Sequence, residues 1–310
     1  MPTVSVIIPN YNHAPYLEER IQSVLNQTFQ DFELIILDDK SSDNSKEIIE
    51  RYRIHPKVSH IVYNHENSGS TFKQWQKGIG LAVGQWIWIA ESDDVAETMF
   101  LEELLSKIDT HKNIVVAFCA SMTIDKNSTY LGQESWAHDI SNRDWGKDFV
   151  NDGVDEVKTQ MFYKNAIPNA SAVLFRKSAI PFSVFEEIVK MKFAGDWLFW
   201  IKLLENGNVA YSAKLLNMFR THGNTTRGMK SANLERQRYR EYFTVINYVK
   251  EEYGVSLSLK KHYWILREWR LKQRSLLQTR IIDWLAARKL TFVLKIVLAL
   301  KAYKHGKLAD

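Results

Sequence analysis

Residues 1–115 predict an α/β fold, a mostly parallel central sheet with helices on both faces, on three observations. Short apolar runs alternate with segments of helical spacing. The order strand, helix, strand, helix implies parallel neighbours covered on both sides. Three of the runs end in polar clusters: Asn10-Tyr11-Asn12, Asp38-Asp39 and Asp93-Asp94. In such sheets ligands bind beyond the carboxyl ends of the strands. Three polar strand ends in succession therefore suggest one polar site assembled from separated segments.

The elements follow in order. Residues 4–8 form an apolar run stopped by Pro9, and Pro15 suits the first turn of a helix through Val24 and Leu25. A second strand covers 33–37. Ser41, Ser42 and Asp43 offer a helix start, with Ile48, Ile49 and Tyr52 at helical spacing. Residues 58–63 read as a third strand, 71–83 as a helix closed by Gly84, and 86–90 as a fourth strand. A helix over 96–105 comes next. Residues 120–170, rich in Asn, Asp, Ser and Trp, read as loops and short elements over the crevice. A buried strand over 171–175, a helix over 196–204 and late strands over 209–211 and 215–220 complete this part. From about Ser231 the pattern is helical.

Composition narrows the class. The 310 residues are 45 % hydrophobic and 25 % charged, ordinary globular values that exclude a disordered tail protein or a disulfide-stapled mini-domain. The lone Cys119 cannot form an internal disulfide, which predicts a reducing compartment. The first residues carry no secretion-signal pattern. Net charge is +5, unevenly spread. Residues 260–310 hold 13 Lys+Arg against Glu268, Asp283 and Asp310, a net of +10; the preceding 259 residues hold 28 basic and 33 acidic side chains, a net of −5. A mildly acidic body and a basic tail call for separate explanations.

The chemistry-bearing residues each have a bland alternative. Asp93 and Asp94 after an apolar strand form a pair whose repulsion a hard divalent cation would relieve, or they cap the next helix. Asp38-Asp39 can accept from a ribose or a base N–H, or cap a helix at Ser41 and Ser42. After Pro9, Tyr11 can pack on a base, or the Asn residues around it satisfy a local turn. Asp196 is a helix cap or a general base, whose apolar neighbours would favour a raised pKa. His222 is structural, or binds a metal or phosphate. No Gly-rich phosphate-loop or dinucleotide motif is present.

Together these pieces resemble the family 2 inverting glycosyltransferases. The resemblance runs through Val4-Ser5-Val6-Ile7-Ile8-Pro9-Asn10-Tyr11-Asn12, Ser23-Val24-Leu25-Asn26-Gln27-Thr28-Phe29, Asp38-Asp39-Lys40-Ser41-Ser42-Asp43, Asn67-Ser68-Gly69, Asp93-Asp94, Gly195-Asp196-Trp197 and Arg220-Thr221-His222. It covers roughly residues 3–225, and the ordered set is specific although each piece is short. It implies a nucleotide-sugar-dependent GT-A catalytic domain over 1–228, with a nucleotide-binding half (about 1–115) and an acceptor half (116–228), followed by a basic helical region over 229–310. It also implies roles. Asp39 accepts from the base, with Pro9 and Tyr11 lining the base pocket and Asp93 near the ribose and metal. Asp94 is the principal ligand of a Mn²⁺ or Mg²⁺ that bridges the diphosphate, and His222 approaches the same ion. Asp196 is the general base. Asn169 and Trp197 lie where acceptor contacts are expected, although Trp197 also fits a buried helix face. Three positions depart from the family pattern: Lys40 replaces a small residue, Glu91 stands where Asp is commoner, and Gly195 replaces an acid.

The implied activity is transfer of a sugar from a nucleoside diphosphate donor, UDP by family habit, to a hydroxyl of a glycan or lipid-linked acceptor in surface-polysaccharide assembly. The alternatives are a non-catalytic nucleotide-sugar-binding or scaffold protein and a sugar-phosphate nucleotidyltransferase; the latter needs a Gly-rich loop that Pro9-Asn10-Tyr11-Asn12 does not supply. In the tail, Arg267, Arg270 and Arg274 share one helical face, with Ile265, Trp269 and Leu276 roughly opposite. Residues 256–305 thus suit docking on an anionic membrane surface, about 1 kcal/mol per basic residue, or packing on the catalytic domain or a second subunit. The expectation is a cytoplasmic protein, peripheral at the inner face of the cell membrane, an oligomer being allowed. No nucleic-acid-binding motif accompanies the tail.

Overall fold

The computed structural model describes residues 1–223, 231–258, 261–262 and 264–265. The chain divides into two compact units, Met1–Ser231 and Ala232–Asp310. The first opens with β1 (Val4–Asn10), α1 (Ala14–Leu25), β2 (Phe32–Asp38), α2 (Ser45–Glu50), β3 (Val58–Tyr63), α3 (Thr71–Leu81) and β4 (Trp86–Ile89). β1 is parallel to β2 from Val4 opposite Phe32 to Asn10 opposite Asp38, and parallel to β4 on its other side. β1, β2 and β4 are buried along their whole length, which matches their uninterrupted apolar runs. Gly84 lies beneath this sheet: a Cβ there would sit 2.6 Å from the Ser5 nitrogen, so only glycine allows the chain to pass so close to β1.

The unit continues with β5 (Val95–Ala96), α4 (Phe100–Thr110), β6 (Ile114–Ile124), β7 (Tyr130–Gln133), β8 (Phe149–Asn151), α5 (Gly153–Glu156), β9 (Val173–Arg176), α6 (Val184–Ile188), α7 (Gly195–Leu204) and β10 (Asn208–Arg220). The sheet order is β3-β2-β1-β4-β9-β6-β10-β5, with β7 beside β6 and β8 beside β10. β9 is antiparallel to both β4 and β6, and β6 is parallel to β10. The strands β1, β2, β4, β6 and β10 therefore run the same way, and their carboxyl ends share one edge. One continuous sheet spans both halves expected on either side of residue 115.

Three expectations about elements are corrected. The helix expected from residue 96 begins at Phe100, because Val95 and Ala96 pair with Met218 and Asn217 of β10. Asp93 and Asp94 consequently do not cap it. The stretch read as loops from residue 120 contains the end of β6, a long central strand whose Ile114–Ala120 portion is buried. Its Cys119 is buried, and burial raises the thiol pKa, which keeps it unreactive. The two late strands are one strand, β10, whose register against β6 slips around Ser212 and Leu215. Ser212 and Lys214 there bond the two oxygens of Glu103 at 2.9 and 2.6 Å.

The second unit contains α8 (Ala232–Tyr253), whose buried Tyr239, Phe243, Ile246 and Val249 form an apolar stripe at helical spacing. Glu235–Arg238 and Gln237–Glu241 pair along it at 3.1 and 2.9 Å. Arg267, Arg270, Arg274, Trp269 and Leu276, and with them most of the tail expected to dock on a membrane, lie outside the described residues. No helix among the described residues is long and apolar enough to cross a membrane.

Candidate active site

The loops that follow β1 and β2 are tied together. The Asn10 amide donates to Asp38 Oδ1 (2.8 Å) and Ser41 Oγ (3.1 Å). Asn12, left-handed at φ 57°, accepts from the Ser42 nitrogen at 2.7 Å. Asp43 accepts from the Ala14 nitrogen at 2.9 Å, satisfying a donor at the start of α1. The Asn side chains therefore bond across to the loop after β2, 28 to 31 residues on, and do not satisfy a local turn. Pro9 is buried inside β1, opposite Leu37. Tyr11 stands 49 % exposed on the rim. Lys40 is exposed and left-handed at φ 61°, a backbone state that small residues adopt more readily.

Asp39 is buried and gathers donors from the segment entering α3. Its Oδ1 accepts from Asn64 (2.5 Å), the Ser68 nitrogen (2.9 Å) and Gln74 (3.0 Å), and its Oδ2 from Ser68 Oγ (2.7 Å). α3 also reaches the two other acidic segments. Trp75 Nε1 donates to Glu91 at 2.9 Å, and the Phe72 ring occupies the space in front of Gly195. A Cβ on Gly195 would meet that ring at 2.5–3.0 Å, which explains why no acid stands there. Gly195→Ala is expected to destabilise by about 1–3 kcal/mol, the cost of overpacking a buried ring, read as a lowered midpoint of thermal denaturation. An unchanged midpoint would contradict the packing account.

The Asp93-Asp94 turn splits its carboxylates. Asp94 is 2 % exposed; its Oδ1 accepts from the Arg220 nitrogen (2.9 Å) and its Oδ2 from the Asn169 amide (3.0 Å). Asp93 instead faces His222, with Oδ2 3.0 Å from Nε2. Arg220 is buried beneath both. It donates to the Asp93 carbonyl (2.6 Å), the Asp125 carbonyl (3.0 Å), Ser128 Oγ (2.9 Å) and Glu19 Oε2 (2.6 Å), and it stacks 4.8 Å from the Tyr16 ring.

Asp196 lies in the first turn of α7, where the helix dipole favours an anion. Its Oδ1 accepts from the Trp197 nitrogen (2.8 Å) and its Oδ2 from the Asn165 amide (3.0 Å). Asn165 and Asn169 belong to one short segment, so a single stretch of backbone holds Asp196 at one end and Asp94 at the other. The Ser171 hydroxyl then accepts from the Glu91 nitrogen at 3.1 Å, and the Ser171 carbonyl accepts from Trp88 Nε1 at 2.8 Å.

Electrostatics follow from this crowding. Burial, with Asp93 and Asp94 close by, pushes Glu91 up to about 8 against the opposing Trp75 bond, so it is protonated near neutral pH. Burial and Asp93 push Asp94 up to about 6. Burial also raises Asp93, but the His222 bond and the His13 ring prevail and hold it below the ordinary carboxylate value. Arg20 is buried under this turn with no hydrogen-bond partner for its guanidinium among the described residues, 5.0 Å from the Trp88 ring. Burial pulls it down to about 10, with Asp94, Asp93 and Glu91 pulling the other way.

The expected residues thus divide. Asp39, Asp93, Asp94, Asp196 and His222 are joined through α3, Arg220 and the 165–171 segment. Both oxygens of Asp94, the expected principal metal ligand, accept from protein donors, whereas Asp93 is the carboxylate beside the histidines. Both expected acceptor contacts are buried, although Asn169 also lines a small cavity with Trp136, His138 and Trp145. The Asn169 amide is spent on Asp94 and the Ser171 nitrogen, and Trp197 is buried with its indole on the Met161 carbonyl at 2.8 Å. His13 and Arg20 were not singled out from sequence. His13 sits one residue past the Asn10-Tyr11-Asn12 cluster, and Asn165 carries no local signal for its partner 31 residues on. Ligand atoms of His13, Asp93 and His222 lie within 4.8 Å of one another, a donor set that fits a divalent cation.

A fold and an edge of this kind belong to a glycosyltransferase of GT-A architecture. The sequence profile described as "Glycosyl transferase family 2" matches residues 5–170, more than half of the chain, and the chain belongs to that family. An uncharacterized glycosyltransferase of Haemophilus influenzae is 25 % identical over 230 residues, 73 % of this chain and 67 % of its own length. Glycosyltransferase GlyG of Streptococcus pneumoniae is 34 % identical over 105 residues, 34 % of this chain and 35 % of the relative. The minor teichoic acid biosynthesis protein GgaB of Bacillus subtilis is 36 % identical over 112 residues, 35 % of this chain and 12 % of the relative. The matches to GlyG and GgaB thus span a minor part of each relative's length. Among solved structures, S. aureus TarS 1-349 in complex with UDP-GlcNAc superposes with a TM-score of 0.62 at 20 % identity, covering 94 % of this chain and 77 % of that one. The mannosyltransferase PcManGT from Pyrobaculum calidifontis, in complex with GDP-Man and Mn²⁺, gives 0.56 at 13 % identity, covering 97 % and 80 %. These two likenesses concern the fold.

Proposed function

We propose that the chain transfers a sugar from a nucleoside diphosphate donor, UDP in the first instance, to a hydroxyl of a glycan or lipid-linked acceptor during surface-polysaccharide assembly, with inversion at the anomeric carbon. The observation that carries this reading is the Asn165–Asn169 segment, which links a helix-borne acid, Asp196, to the acidic turn at Asp93-Asp94. Binding of UDP-GlcNAc by TarS and of GDP-Man with Mn²⁺ by PcManGT supports the donor class.

In this reading Tyr11 and Asp39 lie at the base end of the crevice. Asp93 and His222 hold a divalent cation, Mn²⁺ or Mg²⁺. When bound, the cation offsets the negative charge that grows on the departing diphosphate. Asp196 accepts the proton of the acceptor hydroxyl as its oxygen bonds to the anomeric carbon. The bond to the diphosphate oxygen breaks on the opposite face, and its electron pair leaves with the nucleotide. Asn165 keeps Asp196 Oδ2 in place through the step.

A thermal-shift series of nucleotide sugars with and without Mn²⁺ tests the reading. The true donor at 100-fold over its Kd is expected to stabilise the protein by about 2.7 kcal/mol, in the presence of the metal. Equal midpoints with every nucleotide sugar, with and without metal, would remove it.

A further inference from the structure

We propose that His13 is a third protein ligand of the cation, and that the resulting two-histidine, one-carboxylate set selects a first-row transition ion such as Mn²⁺ over Mg²⁺. This rests on the reading of Asp93 and His222 as metal ligands. Ligand atoms from all three side chains lie within 4.8 Å of one another, none of the three is exposed, and they come from three separate places: the start of α1, the turn after β4 and the end of β10. Donors that share one ion at about 2.0–2.2 Å lie within roughly 4.4 Å of each other, so a small closing movement completes the set. The His13 and His222 rings stand edge to face, 5.4 Å apart at 89°, and so do not stack.

The orientation of His13 is a second, independent observation. Its Nδ1 lies 2.8 Å from the hydroxyl of Ser92, itself buried. A histidine that binds metal through one nitrogen commonly fixes its ring by a hydrogen bond from the other. Ser92 leaves Nε2 of His13 with no hydrogen bond among the described residues. The residue that fixes this ring is also the neighbour of the carboxylate ligand, so one turn supplies both. The selectivity follows from ligand chemistry. Mg²⁺ favours oxygen donors and keeps its waters, whereas imidazole nitrogens favour first-row transition ions.

Pulsed electron paramagnetic resonance of the full chain with MnCl₂, alone and with UDP, tests the proposal. Calorimetric titration of Mn²⁺ and Mg²⁺ accompanies it. The expected wild-type spectrum shows two directly coordinated imidazole nitrogens, and Mn²⁺ binds at least about 10-fold tighter than Mg²⁺. His13→Gln is expected to leave one such nitrogen. It should weaken Mn²⁺ by about 10–100-fold, the range seen when even outer partners of a metal site are lost, and shift Mg²⁺ far less. A wild-type spectrum with one nitrogen, equal affinity for the two ions, or no Mn²⁺ binding overturns the proposal; the wild-type spectrum decides even if the variant folds poorly. Asp93→Asn separates the two levels. If it binds Mn²⁺ like wild type, the assignment of the whole site fails. If it abolishes binding while His13→Gln is silent, the role of His13 alone fails.

Discussion

Asp196→Asn is expected to lower turnover by about 10²–10⁴-fold, the usual worth of a positioned general base, with the dissociation constant for UDP nearly unchanged. The amide keeps the shape of the carboxylate and can still accept from the Trp197 nitrogen, which bonds Oδ1 at 2.8 Å, so α7 should start as before. What it loses is the capacity to take a proton and, at the Oδ2 position, the bond from the Asn165 amide. In the proposed reading the nucleotide binds at the ends of β1, β2 and β4, whereas Asp196 is carried by α7. A defect confined to the chemical step should therefore appear in kcat at saturating donor and acceptor, with calorimetric donor binding intact. Turnover equal to wild type would remove Asp196 from the role. A parallel loss of donor binding would show that the residue supports the crevice rather than the proton transfer.

What the sequence made legible depended on the range of the interactions involved. The first four strands were readable because each is a continuous apolar run, and the parallel sheet follows from their alternation with helices. β6 escaped notice because Ile114–Ala120 lies where the strand-and-helix reading stopped, and its later residues, Ser121 to Thr123, look polar. The acids themselves were legible as strand-end clusters. Their division of labour was not. Nothing local to Asp93-Asp94 says that Val95 and Ala96 will pair with β10, yet that pairing removes the capping alternative and turns Asp94 toward the Arg220 nitrogen. Gly195 was visible as a departure, while its reason, the Phe72 ring, comes from a helix over 120 residues away. His13 and Asn165 are common polar residues in unremarkable surroundings, and only the tertiary fold gives them partners.

Arg220→Met is expected to produce the largest loss of stability at the site, about 3–5 kcal/mol, because it takes away the donors of several polar groups at once, at about 1–3 kcal/mol for each buried group left unsatisfied. The guanidinium is fully buried and spreads its donors over the Asp93 carbonyl, the Asp125 carbonyl, Ser128 and Glu19. Methionine fills much of the volume and satisfies none of them. The two carbonyls bear most of the cost, since Glu19 is 44 % exposed and can return to water. Glu19→Gln should accordingly cost under about 1 kcal/mol. For a domain of this size each kcal/mol is worth about 2–4 °C, so Arg220→Met should lower the denaturation midpoint by roughly 6–20 °C. Arg220→Lys is not expected to rescue it, because an ammonium cannot address partners in three directions as a planar fork does. A midpoint within about 2 °C of wild type for Arg220→Met, equivalent to about 0.5–1 kcal/mol, would mean that the Asp93-Asp94 turn is held by something other than this arginine. If the midpoint falls as expected, metal-dependent nucleotide binding should fall with it, since Arg220 holds the backbone on which Asp93 meets His222.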